Sequence, residues 1–312
     1  YMPGTFLTRY GSFWGFIPQT AGTVYWVAPS ASYTVEGRSY SASDGNDGLS
    51  PERALLTVGR GVDLAVNAGD VVVLLPGAHT VATSIATDSA NVTIMGLPGG
   101  RGNYLFPRTT LAMSAVDQTM NVTAAGVEIA HIAFLSTTSQ ASALIDFSDA
   151  ADRLYIHDCS FDQFTATAAT TILGIDAIGA ANYVLIDHCY WSCDGAFGAN
   201  IDMTATLDSV VSNCLFQQSA GTLAASITVG AATDRLLIDH CTWQITNAAA
   251  VTACVDGTGA TIASGVTVNY CAFGDRNTVP IDNFDAAECE LAENYEAGLG
   301  STDGGVLITA IT

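Results

Sequence analysis

Three aspartates, Asp146, Asp176 and Asp202, each follow an isoleucine and stand 13, 13 and 12 residues before a cysteine. If those offsets place the three on adjacent strands, their carboxylates stack at about 4.8 Å. That spacing suits a Ca2+ site, or the acid and base of a retaining glycosidase. It equally suits a plainer use, in which each Asp accepts backbone N–H groups at a strand end. Stacked carboxylates repel, so a counter-ion or a shared proton is expected among them. Thr228 takes the same place in the following copy, and Asp256 a similar one after it.

Asp–His neighbours form a second candidate. His188 and His240 follow Asp187 and Asp239, and His157–Asp158 repeats the pair in reverse order. An Asp–His pair can orient a general base. Yet Ser212–Asn213 and Asn269–Tyr270 fill the same two places elsewhere, which points to a solvated bend that accepts any turn-tolerant polar residue. Arg153 and Arg235 each follow an Asp and read as turn ion pairs. "CYWSC" at 189–193 lacks good metal spacing. No Walker loop, Gly-x-Ser-x-Gly or His-Glu-x-x-His is present, so no cofactor and no metal-ligand set is assigned. Asp146, Asp176 and Asp202 remain the candidate catalytic residues.

The elements that would position them follow from a repeat. "DRLLIDHCTW" at 234–243 matches "DRLYIHDCSF" at 152–161, "NYVLIDHCYW" at 182–191, "SVVSNCLF" at 209–216 and "GVTVNYCAF" at 265–273, with "GVEIAHIAF" at 126–134 and a weaker "NVTIMGLPG" at 91–99 before them. The aligned column reads Leu97, Ile132, Cys159, Cys189, Cys214, Cys241 and Cys271, in steps of 25 to 35 residues. Three residues earlier the column is Ile or Val throughout, and two residues later it is Phe or Trp, except for Gly99 in the weak copy. Period two marks strands with one inward face, and its interruption before the Cys marks a bend. Repeats of this length, rich in Val, Ile, Thr and aromatics, fit the coils of a parallel β-solenoid. The Cys column reads as reduced, buried thiols, because Leu97 and Ile132 fill it in earlier coils.

The lead-in, "SASDGNDGLSPERALLTVGRGVDLAVNAGDVVVLLPGAHTV" at 41–81, resembles that of right-handed parallel β-helix proteins of the pectate-lyase-like superfamily. The match runs through Gly45, Asn46, Gly48, Pro51, Ala65, Gly69, Asp70 and Gly77. The resemblance implies an all-β, single-stranded right-handed parallel β-helix, with a capping helix around 55–66 and an aromatic N-terminal arm. That fold hosts lyases, hydrolases, epimerases and viral structural proteins, so it does not fix an activity. Pectate-lyase relatives use basic residues as base and uronate clamps, with Ca2+, whereas this chain has no Lys. Polygalacturonase-like members carry a Gly-His-Gly turn and Arg-Ile-Lys, and both are missing.

Composition narrows the partners. The chain has 312 residues, 49% hydrophobic and 12% charged, with nine Arg against thirty acids for a net charge of −21. Such a surface repels phosphate backbones, polyanionic glycans and anionic membranes, so neither nucleic acid nor membrane is expected as a partner. No basic region followed by an apolar core opens the sequence, and no secretory signal is read there. Residues 1–26 hold eight of the 27 aromatics. Among them, Phe13, Trp14, Phe16, Tyr25 and Trp26 are expected to anchor a partner. Three regions follow: an arm over 1–40, the β-helix over 41–274, and an acidic segment over 275–312 with a short helix at 285–300 ended by Gly298 and a final strand in "VLITAIT". An aromatic arm before a β-helix resembles phage virion proteins. The leading expectation is therefore a homotrimeric capsid decoration or spike protein on the virion surface, bound to capsid or other virion proteins and leaning away from enzymatic activity. The alternatives are a polysaccharide-degrading enzyme, free or as a tailspike, and an extracellular adhesin or glycan-binding solenoid.

Overall fold

The computed structural model describes residues 22–97, 109–114, 120–136, 143–163, 174–193, 197–219, 221–230, 232–245, 249–257, 265–274, 279–282, 289–296 and 306–308. The chain winds as a solenoid whose coils each contribute a short strand to two or three long parallel sheets. Sheet I has ten strands, from Val24–Val27 through Val71–Leu74, Thr93–Gly96 and Glu128–Ala130 to Cys289–Ala292. Sheet II has ten, from Gly77–Val81 to Asn294–Glu296, closed by Val306–Ile308 in antiparallel pairing. Sheet III has eight, from Ile85–Thr87 to Val279–Asp282.

Identical offsets become identical registers. Ile94, Ile129, Ile156, Ile186, Val211, Ile238 and Val268 pair rung to rung in sheet I. In sheet II the aromatic column runs Phe134, Phe161, Trp191, Phe216, Trp243 and Phe273, with ring centroids 4.6–5.2 Å apart and planes within 14°. Stacking at the sheet spacing gives each of the four inner rings a partner on both faces. The column starts at Leu111 rather than Gly99, with His79 beneath it. His79 is buried, and its Nε2 lies 2.8 Å from Leu75 O. Burial holds its imidazole below the ordinary value, hence neutral.

The bend before the Cys column is a left-handed residue in seven successive coils: His131, Asp158, His188, Asn213, His240, Tyr270 and Glu293 all have φ between 49° and 57°. Asn, Asp and His tolerate this region better than most side chains, so the bend selects the polar pairs seen in sequence. A second left-handed column, including Asn91, Arg153, Tyr183, Asp208 and Arg235, turns sheet III back into sheet I. Arg235 Nη2 meets Asp208 Oδ2 of the preceding coil at 2.8 Å, and the guanidinium also pairs with Asp234, as the turn reading expects. Asp152, beside Arg153, instead accepts from Asn182 N and Nδ2 at 2.8 and 2.9 Å.

Among the described residues seven cysteines, Cys159, Cys189, Cys214, Cys241, Cys254, Cys271 and Cys289, are buried and form no disulfide. Five of them line one column, and each of those thiols faces a carbonyl of the preceding coil, as in Cys159 Sγ to Ile129 O at 3.7 Å. Burial pushes the Cys159 and Cys214 thiols well up, which makes them unreactive. We expect a thiol-specific chromogenic reagent to find at most one reactive group in the native protein, Cys193, whose side chain lies outside those described, and all eight after denaturation. Several fast-reacting thiols in the native state would contradict a closed column. The column ends at Asn294, which is buried and satisfies two strand groups, accepting from Cys271 N at 2.9 Å and donating to Val268 O at 2.8 Å.

Both ends depart from the sequence expectation. Val24–Val27 pairs in parallel with Val71–Leu74, so the solenoid begins inside the expected arm. The hairpin Ser32–Val35/Arg38–Ser41 packs Tyr33 with Trp26, Val71 and Val73 in a cluster separate from the main core. At the other end, Cys289–Ala292 and Asn294–Glu296 are strands that continue sheets I and II, where a helix was expected. Cys289–Ala292 is paired along one edge and Asn294–Glu296 along both, and this ladder pairing outweighs the helix preference of an isolated Glu-rich segment. A seven-residue helix, Val58–Leu64, buries Val58 and Val62 against the core, with the Thr57 hydroxyl accepting from Arg60 N at 3.3 Å. The lead-in motif holds this region by side-chain acceptors. Asp44 accepts from Leu56 N and Thr57 N at 3.0 and 2.9 Å. Buried Asp70 accepts from Thr23 N and Asn67 N at 2.7 and 2.9 Å, next to Gly69 at φ 87°. No helix among the described residues is long and apolar enough to cross a membrane.

Candidate active site

Sheet III brings the three candidate aspartates together. Asp146 pairs with Asp176 and Asp176 with Asp202, each in register. The column extends to Asn121 on one side and through Thr228 to Asp256 and Asp282 on the other. Ile145, Ile175 and Ile201 beside them are fully buried, so strand alternation turns the carboxylates outward, where they are half-buried. Asp202 Oδ1 accepts from Thr204 N at 2.8 Å, which fixes that side chain. Ile178, two residues after Asp176 and therefore on the same outward face, is exposed.

Electrostatics single out the middle rung. Burial, reinforced by the charges of Asp202 and Asp146, pushes the Asp176 carboxyl up to about 6 from an ordinary 3.8. The repulsion expected from stacking is thus relieved by a proton on the central carboxyl. A carboxylic acid that keeps its proton toward neutral pH, one rung from a fixed carboxylate, is the equipment of general acid catalysis.

A second polar cluster lies at the bend between sheets I and II, unforeseen as a unit. His157 sits between two carboxylates, with Nε2 2.9 Å from Glu128 Oε1 and Nδ1 2.8 Å from Asp158 Oδ2. Glu128 Oε2 accepts from Thr93 Oγ1 at 2.8 Å. His131 Nδ1 stands 3.9 Å from Asp158 Oδ2, and Tyr155 stacks on His157 at 4.1 Å. Burial opposes the charged imidazole, but the bonds to Asp158 and Glu128 prevail and raise His157 to about 9. The other pairs are simpler. His188 Nδ1 lies 2.6 Å from Asp187 Oδ2, and His240 Nδ1 lies 2.7 Å from Asp239 Oδ2. Asp187 also accepts from Ser212 Oγ and Asn213 Nδ2 at 2.6 and 2.8 Å, so its role is to tie coils together.

The expected partner anchors divide. Trp26 is only 2% exposed and is spent inside the hairpin cluster, so it is not available to a partner, whereas Tyr25 is partly buried against the main core. Both belong to the first strand of sheet I, which pairs in parallel with Val71–Leu74. Phe13, Trp14 and Phe16 lie outside the described residues.

No protein-family model matches the chain, and no curated protein matches it. Solved structures do. A pectin methylesterase from Aspergillus niger superposes with a TM-score of 0.56 at 15% identity, covering 94% of this chain and 92% of that one. A pectin methylesterase from Erwinia chrysanthemi gives 0.55 at 10% identity over 92% of each chain. A pectate lyase gives 0.54 at 12% identity, over 94% of this chain and 78% of its own. The fold is the right-handed parallel β-helix. At these identities the likeness establishes the β-helix alone. The β-helix explains how three identical residues come to share one outward face.

Proposed function

We propose that this β-helix is a polysaccharide-degrading enzyme, a glycoside hydrolase working from the outward face of sheet III. The observation that carries the reading is Asp176, raised to about 6 between two in-register carboxylates. Asp176 gives its proton to the leaving glycosidic oxygen as the bond to the anomeric carbon breaks. Asp202, held by Thr204 N–H, attacks that carbon. Water then cleaves the glycosyl ester, with Asp176 taking its proton back. Adjacent rungs at about 4.8 Å are close to the carboxyl separation of about 5–5.5 Å in retaining enzymes. The structural neighbours are enzymes of pectic polysaccharides, and this supports a glycan substrate without fixing it. A net charge of −21 and the absence of Lys favour a neutral or esterified glycan over a polyuronate. The test is release of new reducing ends from a panel of neutral and esterified polysaccharides by wild type and by Asp176→Asn, with product anomers read by NMR. Retained activity in the variant would sink the assignment.

Attachment to a virion is a second reading, favoured by six aromatics in the first 21 residues, directly ahead of the strand at Val24–Val27. On this reading Phe13, Trp14 and Phe16 anchor the chain in a homotrimer or on a capsid. Deleting residues 1–21 is expected to turn a trimer into a monomer by light scattering while the far-UV spectrum stays unchanged. An unaltered mass would remove this reading.

A further inference from the structure

We propose that His131, His157 and Asp158 form a binding site for one divalent transition-metal ion, with Glu128 as the residue that orients His157. One ligand atom from each of the three lies within 4.8 Å of the others, and all three side chains are only partly exposed. Asp158 Oδ2 is the shared corner, 2.8 Å from His157 Nδ1 and 3.9 Å from His131 Nδ1. Ligand atoms about 2.0–2.1 Å from a tetrahedral ion stand roughly 3.3 Å apart, inside that span. To seat an ion, the 2.8 Å pair opens by about 0.5 Å and the wider pairs close by about 0.6–1.5 Å, which side-chain rotation supplies.

The surroundings are built for it. Glu128 Oε1 takes the His157 Nε2–H and Asp158 Oδ2 the Nδ1–H, and a bound ion replaces that Nδ1 proton, which passes to solvent. Glu128 is itself held by the Thr93 hydroxyl, one strand further along sheet I. A carboxylate behind the distal nitrogen is the usual support of a metal-bound histidine. The backbone supplies the rest. His131 and Asp158 are the left-handed bend residues of successive coils, at φ 57° and 52°, so their side chains leave the solenoid side by side. His157 ends the strand Tyr155–His157 and reaches the same spot from the sheet. The ion would clamp two coils across their bend. Two imidazoles and one carboxylate select Zn2+, Ni2+, Co2+ or Cu2+ over Ca2+ or Mg2+.

Other Asp–His pairs provide the control. His240 and Asp239 present the same two residue types at the same bend, with Asn213 in the place that His131 takes beside His157. The experiment titrates the chelator-stripped full chain with ZnCl2 by calorimetry and with CoCl2 by visible absorption, with excess CaCl2 as competitor. One equivalent of Zn2+ and a ligand-field band with Co2+ are expected, both insensitive to Ca2+. His131→Asn, which preserves tolerance of the left-handed bend, and Asp158→Asn should each weaken Zn2+ at least 10-fold. Glu128→Gln should weaken it about 10-fold. His240→Asn should leave it unchanged. The proposal is overturned by any of three results: no stoichiometric binding, binding unaltered in both His131→Asn and Asp158→Asn, or loss on His240→Asn. Circular dichroism of each variant separates lost ligation from lost fold. Because the readout is metal binding, its failure leaves the sheet III proposal standing.

Discussion

Asp176→Asn is expected to abolish glycan hydrolysis and, at pH 8, to make the protein more stable than the wild type. The activity loss follows from removing the proton donor, an effect of about 10²–10⁴ in kcat. The gain in stability follows from linkage. The folded protein holds the Asp176 proton up to about 6, whereas the unfolded chain releases it near 3.8. Between those values the folded state binds more protons, so wild-type stability falls as pH rises through that window and stays low above it. The full difference corresponds to about 3 kcal/mol. Asp176 is only half-buried, and screening brings the expected gain of the neutral Asn nearer 1 kcal/mol, a rise in melting temperature of about 2 °C. At pH 4 the two proteins should melt together. The wild-type rate should fall as pH rises through about 6, as the acid loses its proton. A carboxylate kept for strand-end hydrogen bonds would behave oppositely, because its replacement costs stability and leaves the rate alone. A variant that melts lower at pH 8 would therefore remove the basis of the catalytic assignment even before any substrate is found.

The same contrast explains how much could be read from the sequence. The coils were legible because parallel in-register stacking copies one constraint down the chain: Ile156, Ile186 and Ile238 repeat since each faces the same interior. The Asp column was legible for the same reason, as three identical residues at one offset. The first coil was not. Between Trp26 and its partner Val73 lie a hairpin and a helix, so no repeat length betrays the pairing. The last coil hid because Asn294 replaces Cys in the column and Glu293, an unfavoured type for a left-handed residue, holds the bend just before it. The cluster around His157 escaped because its members come from different offsets. His157 is level with Ala130, not with His131, and Glu128 reaches it along a diagonal. Column reading finds like on like and misses unlike neighbours that only the pleat and the bend bring into contact.

Truncating the aromatic column in its middle should be the most damaging change to the solenoid. Trp191 is fully buried, stacked on Phe161 at 4.9 Å and on Phe216 at 4.8 Å. Trp191→Ala removes the ring that joins the coils on either side and leaves a cavity the parallel strands cannot close, because their spacing is fixed by the ladders. A loss of about 3–5 kcal/mol is expected by chemical denaturation. Coils interact mainly with their immediate neighbours, so a gap at one rung also weakens the coupling of the two halves, and the unfolding transition should broaden. Trp191→Phe should behave differently. The indole Nε1 is buried and has no hydrogen-bond partner among the described residues, a cost of about 1–3 kcal/mol that Phe does not carry. Phe also matches the rings above and below it. The relieved N–H offsets the lost ring area, and the variant should lie within about 1 kcal/mol of the wild type. Equal losses in the two variants would mean that Trp191 is retained for its N–H, and that a polar partner reaches it in solution.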